Sequence, residues 1–228
     1  MMLLSDLGVL QFFNSSSSLF YDNFAQVLTN GLTWIPLYLA LIYLVIKNNE
    51  TMTQISLAIG CVLLCVALSG GVDDLIVKPL VGRLRPTYDP LVKYSIDIVD
   101  GLHGGGQYSF FSAHAANTFT IAMFFALMVR SRLLSAGLFA WSLVNCWTRL
   151  YLGVHYPSDI LVGLLWGGVV ATLVYLVYYR TYRRISPALH YVSTQYTSTG
   201  YSRSDIDMVM TILMFTFLYT VLKTIIIM

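Results

Sequence analysis

Six apolar runs, each about as long as a bilayer is thick, limit what this chain can fold into. They fall at residues 20–46, 52–80, 112–129, 133–152, 156–179 and 208–228. Roughly 20 apolar residues in a helix cross a hydrocarbon core. Inside that core every backbone N–H and C=O must be paired within its own segment, which leaves the helix as the element for runs of this kind. The expectation is an all-α, polytopic membrane protein: one domain over residues 1–228, built as a bundle of six transmembrane helices. Composition points the same way. The 228 residues are 57% hydrophobic and 11% charged, against roughly 25% charged in soluble domains. The net charge of +2 comes with no basic tail, so nucleic acid is not an expected partner. Cys61, Cys65 and Cys146 lie inside apolar runs without metal-ligand spacing, as small core residues do.

The segments between the runs are polar and informative. Residues 1–18 place Leu3, Leu7 and Leu10 at helical spacing around Ser5 and Asp6. They have neither a basic start nor a cleavage signal, so an N-terminal interfacial helix is expected, broken by the serine run 15–18. Residues 86–111 read as a loop, with Pro86, Pro90 and the triplet Gly104, Gly105 and Gly106. Residues 180–207 form a second polar loop rich in Ser, Thr and Tyr. Lys47, Arg130, Arg132, Arg180, Arg183, Arg184 and Arg203 fall on one side of the six runs. Lys78, Arg83, Arg85, Lys93 and Arg149 fall on the other. Short loops rich in Lys and Arg stay in the cytoplasm, and the first set has that character. Residues 180–207 are then cytoplasmic, while 86–111 and both chain ends lie outside.

The second set belongs to three clusters that this layout brings to one face. The first runs from Lys78 to Pro86 and holds Lys78, Arg83 and Arg85. Three cations so close repel one another unless an anion joins them. They suit either a phosphate clamp or snorkelling toward headgroups. The second cluster, Phe111-Ser112-Ala113-His114, opens an apolar run. Ser112 suits an N-cap, and a helix start offers free N–H groups to an anion. His114 lies in that first turn, able to donate a proton or simply to sit at headgroup level. The third runs from Thr148 to Asp159. Pro157 suits a first helical turn, so His155 and Asp159 are four residues apart on one face. Asp159 can orient His155 as a base or nucleophile, and Arg149 supplies a permanent fork for phosphate. An Arg149–Asp159 ion pair beside an incidental histidine is the plainer alternative.

Taken together, Lys78 with six residues to Arg85-Pro86, then Ser112-x-His114, then Arg149 with five residues to His155 and three to Asp159, resemble the type 2 phosphatidic acid phosphatase superfamily. Its pattern is K-x6-RP, PSGH and SR-x5-H-x3-D. Phe111 and Ala113 stand where the family has Pro and Gly, and Thr148 where it has Ser. The resemblance implies that Lys78, Arg85 and Arg149 hold phosphoryl oxygens, helped by Ser112 and the N–H of Ala113. It implies that His155, oriented by Asp159, attacks phosphorus to give a phosphohistidine, and that His114 protonates the leaving group. Fixed cations then take the part of a metal, and neither metal nor cofactor is expected. Arg83 and His103 lie outside the pattern and are candidate headgroup contacts, His103 equally a solvated loop residue.

The function so implied is hydrolysis of a membrane lipid phosphate monoester or pyrophosphate. The expected setting is a bacterial inner membrane, with the site facing the periplasm. Lipid A phosphates and undecaprenyl pyrophosphate are the leading substrates, with phosphatidylglycerol phosphate and phosphatidic acid as alternatives. A transporter fits less well, because the ionisable residues gather at one face and leave the run centres uncharged. A non-catalytic lipid-binding relative would be expected to lose a histidine or the arginine, and all are present. Gly163, Gly167 and Gly168 permit close helix packing within or between chains, so oligomeric state is not legible.

Overall fold

The computed structural model describes residues 2–14, 18–99, 106–186 and 194–228. Most of the serine run, His103, Gly104, Gly105 and residues 187–193 of the second loop lie outside them. The described residues are helical with irregular connections. We number the helices α1 (Met2–Asn14), α2 (Leu19–Thr29), α3 (Ile35–Lys47), α4 (Met52–Val81), α5 (Ala113–Val129), α6 (Arg132–Tyr151), α7 (Pro157–Ile185) and α8 (Arg203–Ile227). By length and composition α4, α7 and α8 can cross a membrane. A fourth crossing arises if α2 and α3, bent by 65° about the 3-10 turn Gly31–Trp34, are one span. The six-crossing expectation therefore stands at three to four on that measure. Helix α5 is apolar but has 17 residues, and α6 carries Ser142, Asn145, Thr148 and Arg149 on its buried side.

Local chemistry sets the helix ends. Thr51 accepts from the N–H of Gln54 while the Gln54 side chain accepts from the N–H of Thr51, a reciprocal cap for α4. Ser112 and Ser131 cap α5 and α6 through their hydroxyls. Pro157 occupies the first turn of α7, where its missing N–H costs nothing. Helix α4 is not regular to its end, because two π turns, Ala67–Gly71 and Asp73–Val77, widen it. Such turns are rare and often fall at functional sites.

Helix α5 lies at the centre, packed on α4, α6 and α7. Its approach to α7 is set by two glycines. A Cβ on Gly163 would come within 2.8 Å of the Ser112 carbonyl oxygen, and one on Gly167 within 2.6 Å of that of Ala116. The Thr120 hydroxyl donates across the same seam to the Gly167 carbonyl at 3.1 Å. Two of the three small residues singled out in the sequence thus pack within the chain. The main core gathers Trp34, Leu37, Leu44, Phe124, Phe125, Leu138 and Trp141 between α3, α5 and α6.

The two ends of the bundle differ. At one, Asn48 accepts from the N–H of Ser202 at 2.7 Å and donates to Asp205 at 3.0 Å, while Thr199 donates to the carbonyl of Val129 at 2.8 Å. At the other, α1 is sewn to the chain around it. Asn14 donates to the carbonyls of Tyr151 at 2.7 Å and Asp97 at 2.9 Å, and accepts from the N–H of Asp97 at 2.7 Å. This second end carries all three polar clusters.

Candidate active site

Each cluster reaches the site from its own element. Lys78 ends the second π turn of α4, and its ammonium lies 2.9 Å from Asp73 and 2.5 Å from Asp74. Asp73 is fully buried and also accepts from the N–H of Phe111 at 3.0 Å. The widened turn therefore fixes both the lysine and the approach to α5. Gly82, with φ of 62°, ends α4 in the left-handed conformation that glycine adopts freely. The chain then turns back so that Arg85 donates from Nε to the carbonyl of Tyr108 at 3.1 Å, and the N–H of Ser109 to that of Arg83 at 2.8 Å.

The start of α5 is anchored to the start of α7. The N–H of Ser112 donates to the carbonyl of Asp159 at 3.1 Å, and its hydroxyl accepts from the N–H of Ala115. Ser112 is fully buried, Ala113 half-buried and His114 exposed. The ring of His114 is hydrogen-bonded to the backbone of Thr29 and feels the charges of Arg149, His155 and Lys78. Thr29 also accepts a hydrogen bond from Nη1 of Arg149 through its hydroxyl. It sits at the bend of α2 and α3, and nothing in its sequence surroundings marks it.

Arg85 and Arg149 are 6% and 7% exposed. Among the described residues neither has a carboxylate within ion-pair distance, and Nε of Arg149 has no partner at all. Their charges act on each other and on His155. Burying a guanidinium without a counter-ion is costly, and two together more so. The arrangement is that of a cradle for an anion.

His155 sits just before α7, with Tyr156 as the N-cap. It is buried, with Nδ1 3.7 Å from Oδ2 of Asp159. That is longer than a hydrogen bond, as catalytic pairs without substrate often are. Burial pushes the imidazole down to about 4, against the pull of Asp159 and with help from Arg149 and Arg85. The ring is therefore neutral at pH 7, as a nucleophile must be. Asp159 accepts from the N–H of Tyr156 at 3.0 Å through Oδ2 and from Arg83 at 2.7 Å through Oδ1. The plain Arg149–Asp159 pair does not form. Arg83 takes that place, and its guanidinium also lies 3.9 Å over the Tyr156 ring.

The structure thus brings Lys78, Arg85, Ser112, Ala113, His114, Arg149, His155 and Asp159 to one end of the bundle. Arg83 turns toward the Asp159 carboxylate. Among the described residues no group of three His, Cys, Asp or Glu side chains could share a metal ion.

Known proteins resemble this chain. The chain is 35% identical over 182 residues to a lipid A 4'-phosphatase of Bacteroides thetaiotaomicron, covering 79% of this chain and 80% of that protein. It is 38% identical over 98 residues to the putative undecaprenyl-diphosphatase YbjG of Escherichia coli, covering 41% and 46%. The crystal structure of Aquifex aeolicus LpxE superposes with a TM-score of 0.53 at 25% identity, over 74% of this chain and 93% of that one. The family model of the PAP2 superfamily matches residues 58–183, which hold all three clusters, and the chain belongs to that superfamily.

Proposed function

We propose that the protein hydrolyses a phosphate monoester of lipid A, through a phosphohistidine on His155. The observation that carries this reading is the pair of buried arginines, Arg85 and Arg149, with no counter-ion among the described residues, beside a buried neutral histidine. In the first step the Nε2 lone pair of His155 attacks phosphorus. The bond to the lipid oxygen breaks, and that oxygen takes a proton from His114. Asp159 steadies the charge that develops on the ring. In the second step water attacks phosphorus, its proton returns to His114, and the P–N bond breaks. Lys78, Arg85, Arg149, Ser112 and the N–H of Ala113 hold the phosphoryl oxygens, where charge grows in the transition state.

Lipid A is favoured because a lipid A 4'-phosphatase matches across most of the chain. Undecaprenyl pyrophosphate is the second reading, supported by the shorter match to YbjG. Phosphatidylglycerol phosphate and phosphatidic acid come after it. A groove of about 550 Å³ supports a lipid substrate. It lies between the bend of the first span and α8, lined by Asn30, Leu32, Pro36, Phe215, Tyr219 and Lys223. Asn30 directly follows Thr29, the partner of Arg149, and the apolar lining of the groove suits an acyl chain.

All six apolar segments cross the bacterial inner membrane in this reading, with the site at the periplasmic face and α1 lying in the interface. The exposed Val9 and Phe12 of α1 suit contact with lipid. The test is phosphate release by the protein in detergent, with chelator, from lipid A, undecaprenyl pyrophosphate, phosphatidylglycerol phosphate and phosphatidic acid. Release from lipid A that His155→Ala abolishes supports the reading. Turnover retained above about one percent in that variant removes the nucleophile, because triad-type nucleophile loss costs far more than a hundredfold.

A further inference from the structure

Arg83 has more partners than any cation in the site. Its Nη1 donates to Oδ1 of Asp159 at 2.7 Å and to the Ser158 hydroxyl at 2.8 Å, and its Nη2 to Asp6 at 3.1 Å. Its plane covers the Tyr156 ring at 3.9 Å. Asp6 belongs to α1 and grips the start of α7 independently of Arg83. It accepts from the Ser158 hydroxyl at 2.5 Å and from the Ser158 N–H at 3.2 Å. A substrate phosphate would have to displace two carboxylates to reach this guanidinium. Asp159 itself is fully buried. With Oδ1 tied to Arg83 and Oδ2 to the N–H of Tyr156, the carboxylate is held with Oδ2 3.7 Å from Nδ1 of His155.

We infer that Arg83 is a positioning residue for phosphoryl transfer, and that Asp6 of α1 completes the clasp by which Arg83 holds Asp159 in place toward His155. The inference rests on His155 being the nucleophile. Asp6 lies outside residues 58–183, where the family model matches. The interfacial helix is then part of the catalytic apparatus as well as an anchor.

The clasp has a signature that a headgroup contact lacks. The charged and titratable groups around the His155–Asp159 pair are Arg83 and Asp6, Arg85 and Arg149, His114, and Tyr156 with its partner Asp89. Removing Arg83 takes away the cation in contact with Asp159, and loss of a positive charge beside the His155–Asp159 pair favours the protonated imidazole. The acid limb of kcat, which reports His155 in its neutral form, then moves up.

The experiment compares wild type, Arg83→Gln, Arg83→Lys, Asp6→Asn and His155→Ala on one lipid phosphate across pH 4–9. Folding is followed by gel filtration and melting in detergent. Arg83→Gln is expected to lose at least about tenfold in kcat with KM within about twofold of wild type, and to raise the acid limb. Arg83→Lys recovers part of kcat, because one ammonium cannot bridge Asp159, Ser158 and Asp6 at once. Asp6→Asn moves the limb in the same direction by less. If Arg83→Gln does not fold, Asp6→Asn and Arg83→Lys decide by the same limb. A raised KM with unchanged kcat and limb overturns the inference and returns Arg83 to the headgroup. An unmoved limb in Asp6→Asn removes α1 from the mechanism. An active His155→Ala overturns the nucleophile and the clasp together. An inactive His155→Ala beside wild-type limbs in the Arg83 and Asp6 variants overturns the clasp alone.

Discussion

The backbone N–H of Phe111 donates to Oδ1 of Asp73 at 3.0 Å. The family pattern has proline at this position, and proline has no N–H to give. The departure from the pattern is therefore matched by a buried carboxylate placed by the π turn of α4. Phe111→Pro, a change back to the family residue, is expected to destabilise the fold by about 1–3 kcal/mol by leaving that carboxylate short of a donor. Melting temperature in detergent checks it, and a more stable variant would mean that the Asp73 contact contributes nothing.

Arg149 depends on Thr29. Thr29→Val keeps the shape and removes the acceptor. Hydrogen bonds to charged groups contribute roughly 1.5–3 kcal/mol, so kcat/KM is expected to fall about tenfold or more. The fall is expected to be equal for a short-chain phosphate and a full lipid, because the loss lies at the phosphoryl group. Kinetics on the two substrates measures it, and a loss confined to the lipid would point to the neighbouring groove instead.

The glycine seam between α5 and α7 sets how closely the two halves of the site approach. Gly167→Ala drives a methyl group against the Ala116 carbonyl oxygen, 2.6 Å from an ideal Cβ. Overpacking of this kind costs about 1–3 kcal/mol. Gly168→Ala, where the nearest atom is a side-chain carbon of Phe119 at 3.4 Å, is expected to leave the melting temperature within about 1 °C of wild type. Thermal unfolding of the two variants separates the positions.

The pH dependence of stability follows from the burial of His155. Its folded value lies at about 4, below the ~6.5 of an unfolded histidine. Between those values the unfolded chain binds the extra proton, so stability is fully present above pH 6.5 and declines as pH falls toward 4. Melting curves at pH 7, 6, 5 and 4 report the decline, and His155→Asn is expected to lessen it. Equal slopes in both proteins would place the titration on another group.

In the proposed mechanism Lys78, Arg85 and Arg149 offer fixed positive charge to phosphate. Inorganic phosphate is expected to inhibit competitively, and Arg149→Lys to weaken that inhibition by losing the two-pronged geometry. Chelator is expected to change neither rate nor inhibition. Steady-state kinetics with and without chelator decides, and inhibition that disappears with chelator would place a metal in the reaction.

The helices and three clusters were legible in the sequence for a shared reason. Apolar run length marks the helices, although the run 20–46 gives two, α2 and α3, bent by 65°, and the chemistry of each cluster is concentrated in at most a dozen residues whose spacing survives in one dimension. Gly163 and Gly167 were visible as small residues, but their partner, α5, was not. The role of Arg83 was hidden because the groups that use it, Asp6 and Asp159, lie 77 and 76 residues away. Thr29 was hidden likewise, at 120 residues from Arg149. Contacts that far apart leave no periodic trace in a sequence. The π turns of α4 leave none either, since their residues read as continuous helix.

The hydrogen bonds of Asp6 to Ser158 span 152 residues. Asp6 is made before its partner, which follows only after four of the apolar runs. During synthesis the nascent chain therefore carries a waiting helix and an incomplete centre. Closing such a long loop is slow relative to forming each span. If Asp6 completes the clasp on Asp159, the site is finished only when the start of α7 has been made and has met α1, which makes its assembly a late event of biogenesis.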